Sequence, residues 1–331
     1  MRSLSLAAAL SGRGAALAVI EHPGAGPVLQ AFADPSIERL AVAGGSLNEL
    51  VGQANAAADA WGADAIVVDH YGLTPIHETR LRGQGRQIIV IDDLKRTGHD
   101  AGLLIDPSFG RSPQDYPDIL QAGRIILAGP DYALLRADYA AARLGALARR
   151  QCRPPARRLL ISLGLTDVRG ITGRVLQLLR PELGGLTIDV AVGSGAPSLP
   201  WLRHLAASDP TIAVHVDAPD MARLMSETDI AVGAGGSSVW ERACLGLPAL
   251  NLVLAENQQP LALALEAQGA CLAIDARQGG LGQDLAAAFV RLRDDADLRA
   301  RLSETSAKLC DGLGAGRAAG AILTLVGQDV A

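Results

Sequence analysis

The residues best suited to chemistry in this chain stand at the ends of short β-branched runs. The densest set is Asp229-Ile230-Ala231-Val232-Gly233-Ala234-Gly235-Gly236-Ser237-Ser238-Val239-Trp240-Glu241. A buried strand here runs into a glycine-rich turn that opens onto a helix. Glycines let the backbone approach a ligand closely, and N–H groups freed at such a turn favour an anion such as a diphosphate. A steric strand-to-helix joint is the competing reading, with Ser238 and Glu241 spaced for a capping box. The GxxxxGK[ST] pattern of a Walker A loop is absent. Past the next strand, Glu256-Asn257-Gln258-Gln259-Pro260 supplies amides and an acid able to hydrogen-bond a sugar or nucleotide, or simply to form a polar turn. Ser162-Leu163-Gly164-Leu165-Thr166-Asp167 and Val192-Gly193-Ser194-Gly195 also follow strand candidates, so several loops are expected to converge on one edge of a sheet.

In the first half, Asp69-His70-Tyr71 ends one apolar run and Asp92-Asp93 ends another. Histidine titrates near neutrality and tyrosine can hold a water or a sugar hydroxyl, which suits acid–base work. A structural Asp–His pair is the plainer alternative. For Asp92-Asp93 the plainer reading is a turn whose carboxylates accept backbone N–H groups, since no third metal ligand has readable spacing.

The elements that must position these residues read as alternating α and β. Strand candidates are Ala15–Ile20, Ala65–Val68, Gln87–Ile91, Leu103–Ile105, Arg124–Leu127, Arg158–Ser162, Thr187–Val192, Ile212–Val216, Ile230–Val232 and Ala249–Val253, with Ala/Leu-rich helical segments between them. This alternation predicts an α/β chain of two Rossmann-like, doubly wound domains. The basic, proline-containing stretch Arg149–Arg158 places the boundary, giving domains over 1–150 and 151–331. At 331 residues with 49% hydrophobic and 20% charged side chains, the chain can bury two cores, and wholesale disorder is excluded. Thirty basic against 35 acidic groups give a net charge of −5, and aromatics are 3%. Neither a phosphate-backbone surface nor base-stacking platforms follow from that, so no nucleic-acid partner is expected. No membrane span is expected either, and four scattered cysteines fit a reducing cytoplasm and no zinc site.

Taken in order, the motifs resemble the UDP-sugar hydrolases of pseudaminic acid biosynthesis, enzymes of glycosyltransferase-B type. The matching strings are Val67-Val68-Asp69-His70-Tyr71, Ile91-Asp92-Asp93-Leu94, Leu103-Leu104-Ile105-Asp106, Gly129-Pro130-Asp131-Tyr132-Ala133-Leu134-Leu135-Arg136, Ser162-Leu163-Gly164 with Asp167, Gly235-Gly236-Ser237-Ser238-Val239-Trp240-Glu241, and Gly246-Leu247-Pro248 with Asn257-Gln258. The resemblance implies an active site between two Rossmann-like domains. There, water displaces UDP from a 2,4-diacetamido-2,4,6-trideoxy sugar with inversion, without metal or cofactor. UDP contacts are implied for Arg2, Gly164, Asp167, Gly193, Gly235, Gly236, Ser237, Ser238, Glu241 (to the ribose), Asn257 and Gln258, and catalytic roles for Asp69, His70 and Tyr71.

The chain departs from the pattern at Leu165, where the family has a second glycine, and at its start. Family members open with a strand and Gly-x-Gly-His-x-x-Arg, which carries the usual catalytic base. Here Met1–Leu10 matches the helix after that motif, with Arg2 its remnant, so the first strand of the N-terminal domain is expected to be missing. A transferase using the same donor and a non-catalytic nucleotide-sugar-binding relic are the alternatives.

Overall fold

A computed structural model of the protein describes residues 1–21, 26–96, 98–153, 155–277 and 281–327. The chain divides into two compact units, Met1–Ala137 with Leu313–Ala331, and Asp138–Gly312.

In the first unit, β1 (Ala18–Glu21) and β2 (Glu38–Ala41) form a two-stranded parallel sheet. Strands β3 (Ala65–Val68), β4 (Gln87–Ile91), β5 (Leu103–Asp106) and β6 (Ile125–Ala128) form a second parallel sheet in sequence order. Both faces of this sheet are covered, which is why its strands read as unbroken apolar runs rather than as alternation. Ile88, Val90 and Leu104 pack with Val51, Leu81 and Tyr116 on one face. Ile89, Ile91, Leu103 and Ile105 pack with Leu6, Leu10, Ala318 and Ile322 on the other. The helix Leu47–Trp61 starts on a capping box, Ser46 with Glu49, and ends on Gly62 in the left-handed conformation. Among the described residues β1 pairs only with β2 and β3 only with β4.

The second unit holds one six-stranded parallel sheet. Its strands are β7 (Arg158–Ser162), β8 (Thr187–Val192), β9 (Ile212–Val216), β10 (Ile230–Ala234), β11 (Ala249–Val253) and β12 (Leu272–Asp275), in the spatial order β12-β11-β10-β7-β8-β9. The sheet is therefore doubly wound, and its order reverses between β7 and β10.

The division falls one helix earlier than the basic stretch suggested. The helix Ala137–Gln151 runs through Arg149 and Arg150, and the buried Arg150 guanidinium donates to the carbonyls of Met225 (2.8 Å) and Thr228 (3.1 Å). Arg149 pairs with Asp229, whose Oδ2 also accepts the N–H groups of Arg157 (2.8 Å) and Arg158 (2.9 Å). Most of that stretch is thus tied to the second unit by its charges; Pro154 lies outside the described residues. The last helix, Gly314–Leu325, belongs instead to the first unit. It seats on the Gly129–Arg136 string: a Cβ on Gly314 would stand 2.4 Å from the Ala133 carbonyl oxygen, and Arg317 donates to the Asp131 carbonyl at 3.0 Å.

Candidate functional site

In a doubly wound sheet, ligands bind beyond the C-terminal ends of the strands where the order reverses. Gly233 of β10 lies in register with Ser162 of β7, so the loops after both strands leave the sheet side by side. After β7, Gly164 adopts φ +103°, a conformation open to glycine. Asp167 is fully buried: Oδ1 accepts from the Thr172 N–H (2.8 Å) and Oδ2 from the Ser198 N–H (2.9 Å). Burial pushes its carboxyl up, but the hydrogen bonds to Ser198 and Thr172 outweigh this and hold it below the usual range. Asp167 therefore ties the β7 loop to the β8 loop, with both oxygens spent on protein. Gly193, after β8, donates to the Leu165 carbonyl at 3.1 Å, and a Cβ there would meet that oxygen at 2.4 Å. At the position where the second glycine was expected, the Leu165 backbone thus packs on Gly193.

After β10, the Gly235 N–H is spent on the Leu252 carbonyl at 2.8 Å. Among the described residues the N–H groups of Gly236 and Ser237 donate no hydrogen bond, and Ser237 is exposed. The helix Ser238–Cys244 follows, with Ser237 at its N-cap and no side-chain cap bond. The competing capping-box reading put Ser238 at the N-cap; Ser238 instead stands one position inside the helix, and its Oγ accepts from Arg242 Nη1 at 3.0 Å. Glu241 lies half-buried in the first turn of that helix. From the loop after β11, the Gln258 side chain accepts from the Leu254 N–H (2.9 Å), and its Nε2 would lie 3.6 Å from a Cβ on Gly236. Asn257 is exposed in the same 3₁₀ turn. Gly235, Gly236, Ser237, Glu241 and Gln258 are thus brought together, with Asn257 beside them.

In the first unit, a second cluster forms beyond β3 and β4, which pair Val68 with Val90. Arg2, from the helix Arg2–Ser11, bridges Asp69 and Asp93 at 2.7 Å each, and Ser3 also donates to Asp69. Burial opposes the charges of Arg2 and Asp69, yet their mutual attraction dominates, raising the guanidinium and lowering the carboxyl. The Tyr71 ring is half exposed and lies 5.7 Å from the Arg2 guanidinium carbon. Its hydroxyl donates to Asp93 Oδ2 at 3.3 Å, and burial followed by the Asp93 charge raises its pKa. Asp93 Oδ1 is buried without a hydrogen bond. The suggested Asp69–His70 pair is not made. His70 Nδ1 instead accepts the Gly72 N–H at 3.0 Å. An uncharged His70 must then carry its proton on Nε2, so it is a donor to its surroundings rather than a ready base.

Beneath this cluster lies a buried network that the sequence reading missed. Asp92 accepts from the N–H groups of Leu94 (3.2 Å) and Arg96 (2.7 Å), as the turn reading expected. It also meets His99 Nε2 at 3.4 Å, while His99 Nδ1 meets Glu78 Oε1 at 2.7 Å. Arg96 Nη1 donates to the carbonyls of Tyr71 (2.8 Å) and Leu73 (3.0 Å), pinning the loop that carries Tyr71. Glu78 sits in the strongly polar segment Pro75–Arg82, where nothing local marks it as buried. Among the described residues no group of three or more His, Cys, Asp or Glu side chains is placed to hold a metal. No helix there is long and apolar enough to cross a membrane.

No family model matches the chain. The spore coat polysaccharide biosynthesis protein SpsG of Bacillus subtilis is 28% identical over 213 residues, 64% of this chain and 62% of SpsG. The UDP-2,4-diacetamido-2,4,6-trideoxy-beta-L-altropyranose hydrolase of Campylobacter jejuni is 23% identical over 207 residues, 62% of this chain and 72% of the hydrolase. This chain thus spans less than two thirds of SpsG's length. Among solved structures, MurG of Acinetobacter baumannii aligns with a TM-score of 0.66 at 15% identity, covering 98% of this chain and 95% of MurG. That likeness, with the parallel sheets of the two units described above, shows an α/β protein of glycosyltransferase-B fold.

Proposed function

We propose that the protein hydrolyses a UDP-linked 2,4-diacetamido-2,4,6-trideoxy sugar to free sugar and UDP. The observation that carries the reading is the pair of glycine loops, after β7 and β10, at the reversal of the strand order. Their position suits a nucleoside diphosphate, and the hydrolase relative supports the sugar. The Gly236 and Ser237 N–H groups hold the diphosphate as it departs, Glu241 accepts from the ribose hydroxyls, and Asn257 and Gln258 complete the nucleotide contacts.

UDP is a good leaving group, so the protein has mainly to hold it and place a water. The Arg2–Asp69–Asp93 cluster carries one net negative charge, which suits the positive charge that builds on an anomeric carbon. Tyr71 donates its hydroxyl hydrogen bond to Asp93 and keeps oxygen lone pairs with which to orient a water or sugar hydroxyl. The water oxygen bonds to the anomeric carbon from the face opposite UDP, the bond from that carbon to the β-phosphate oxygen breaks with its electron pair leaving on UDP, and the proton the water sheds is released to solvent.

Incubating the full chain with the UDP-sugar, and following free sugar, its anomer and UDP by NMR, tests this. Equal release of UDP and inverted free sugar is expected. Release only in the presence of a sugar acceptor would mark a transferase, and nucleotide binding without turnover a relic. Glu241→Ala should weaken UDP binding by roughly 1–3 kcal/mol by leaving ribose hydroxyls unpaired. Unchanged affinity in calorimetry would return Glu241 to a structural part.

A further inference from the structure

Behind the glycine-rich turn after β10 sits a cation that the proposed reaction leaves unused. Arg242 is 2% exposed. Its Nη2 donates to the Ala234 carbonyl (2.7 Å) and to Asn251 Oδ1 (2.8 Å), and its Nη1 to Ser238 Oγ (3.0 Å). All three acceptors are neutral, and its Nε is buried without a hydrogen bond. Gly233 makes the room for it, since a Cβ there would stand 2.4 Å from Nη1. Burial pulls the guanidinium down to about 10, with the Glu241 charge the chief influence against that, so it remains protonated at neutral pH.

A buried charge is costly unless it is paired, and hydrogen bonds to neutral dipoles offset only part of the lost hydration. In this low-dielectric setting the charge also acts more strongly on its neighbours than it would in water. Those neighbours are the first and last parts of the turn: the Ala234 carbonyl on one side and the Ser238 hydroxyl on the other. One guanidinium therefore staples the two ends of the Gly235–Ser237 segment and leaves its positive charge beneath it.

We propose that Arg242 is the positioning residue of the nucleotide site, holding the turn between Ala234 and Ser238 and selecting ligands by phosphate charge, so that a nucleoside diphosphate is preferred to the monophosphate. The inference rests on the reading of the second unit as a nucleoside-diphosphate site. A merely structural arginine would weaken UDP and UMP alike when replaced; a charge-selecting one changes the ratio between them.

The test is calorimetric titration of the full chain with UDP, UMP and uridine, for wild type, Arg242→Met and Arg242→Lys. Arg242→Met should lower the UDP-to-UMP affinity ratio about tenfold, with uridine affected far less, and Arg242→Lys should recover the ratio to within about threefold of wild type. If Arg242→Met does not fold, Gly233→Ala carries the test by crowding the guanidinium from its seat, with the same fall in ratio expected. An unchanged ratio in the folded variant, with UDP still bound, overturns the role of Arg242 alone. A wild-type chain that binds no UDP overturns the nucleotide reading and this inference with it.

Discussion

His99→Gln replaces a buried imidazole, clamped between Glu78 (2.7 Å) and Asp92 (3.4 Å), by a neutral amide. Both ring nitrogens face carboxylates, so both must donate, and the ring they belong to is the imidazolium. Burial works against that charge, but Asp92 and Glu78 outweigh it and hold the pKa at about 9 against 6.5 for a free histidine. At about 1.4 kcal/mol per pH unit, that difference is worth about 3 kcal/mol of stability. Because the folded-state pKa is raised, the contribution is complete below pH 6.5, falls as pH rises, and is gone above about 9. Asp92 works in the opposite sense. Burial raises its carboxyl, yet the bonds from His99 and Arg96 bring it to about 2, so its share is present above 3.8 and lost as pH falls toward 2. Urea unfolding of wild type and His99→Gln, monitored by circular dichroism at pH 6, 7.5 and 9.5, measures the difference directly. The two proteins should differ by about 3 kcal/mol at the lowest of these and converge at the highest. A difference that does not change between the first and the last would refute the imidazolium clamp.

Asp167→Ala leaves the buried N–H groups of Thr172 and Ser198 without their acceptor and should cost roughly 2–4 kcal/mol in urea unfolding; a loss below about 0.5 would show that the loops after β7 and β8 hold without it. Gly193→Ala drives a methyl group into the Leu165 carbonyl and should destabilise by roughly 1–3 kcal/mol, whereas a neutral melting temperature would mean that the two loops can separate freely. Tyr71→Phe removes the hydroxyl proposed to orient the water, so kcat should fall while UDP affinity stays near wild type; a change in UDP affinity alone would move Tyr71 out of the reaction.

The sequence by itself determined most of the strands, because a strand buried on both faces must be apolar at nearly every position. Gln87–Ile91, with four of its five residues buried, and Ala249–Val253, with all five, are legible for that reason alone. β2 was invisible for the converse reason: Glu38–Ala41 is largely exposed and carries no apolar pattern. Glycine turns at strand ends were equally legible, since their requirement is local. What each side chain does there was not. Asp167 and Glu241 follow similar glycine turns, yet Asp167 is consumed by backbone from the next loop, a partner 31 residues away. Arg242 looked like one more polar residue of a short helix until β11 brought Asn251 beneath it. His99 and Glu78 are 21 residues apart and meet only when the loop after β4 folds over the segment Pro75–Arg82. The last helix shows the same limit on a larger scale. Its apolar stripe Ala315, Ala318, Ala319, Ile322 and Leu323 dictates a buried face, but only the backbone of Ala133, close enough to require a glycine at 314, decides which unit it covers. Burial pattern and backbone freedom are written locally in the chain. Pairing of charges and docking of helices depend on distances that only the tertiary structure sets.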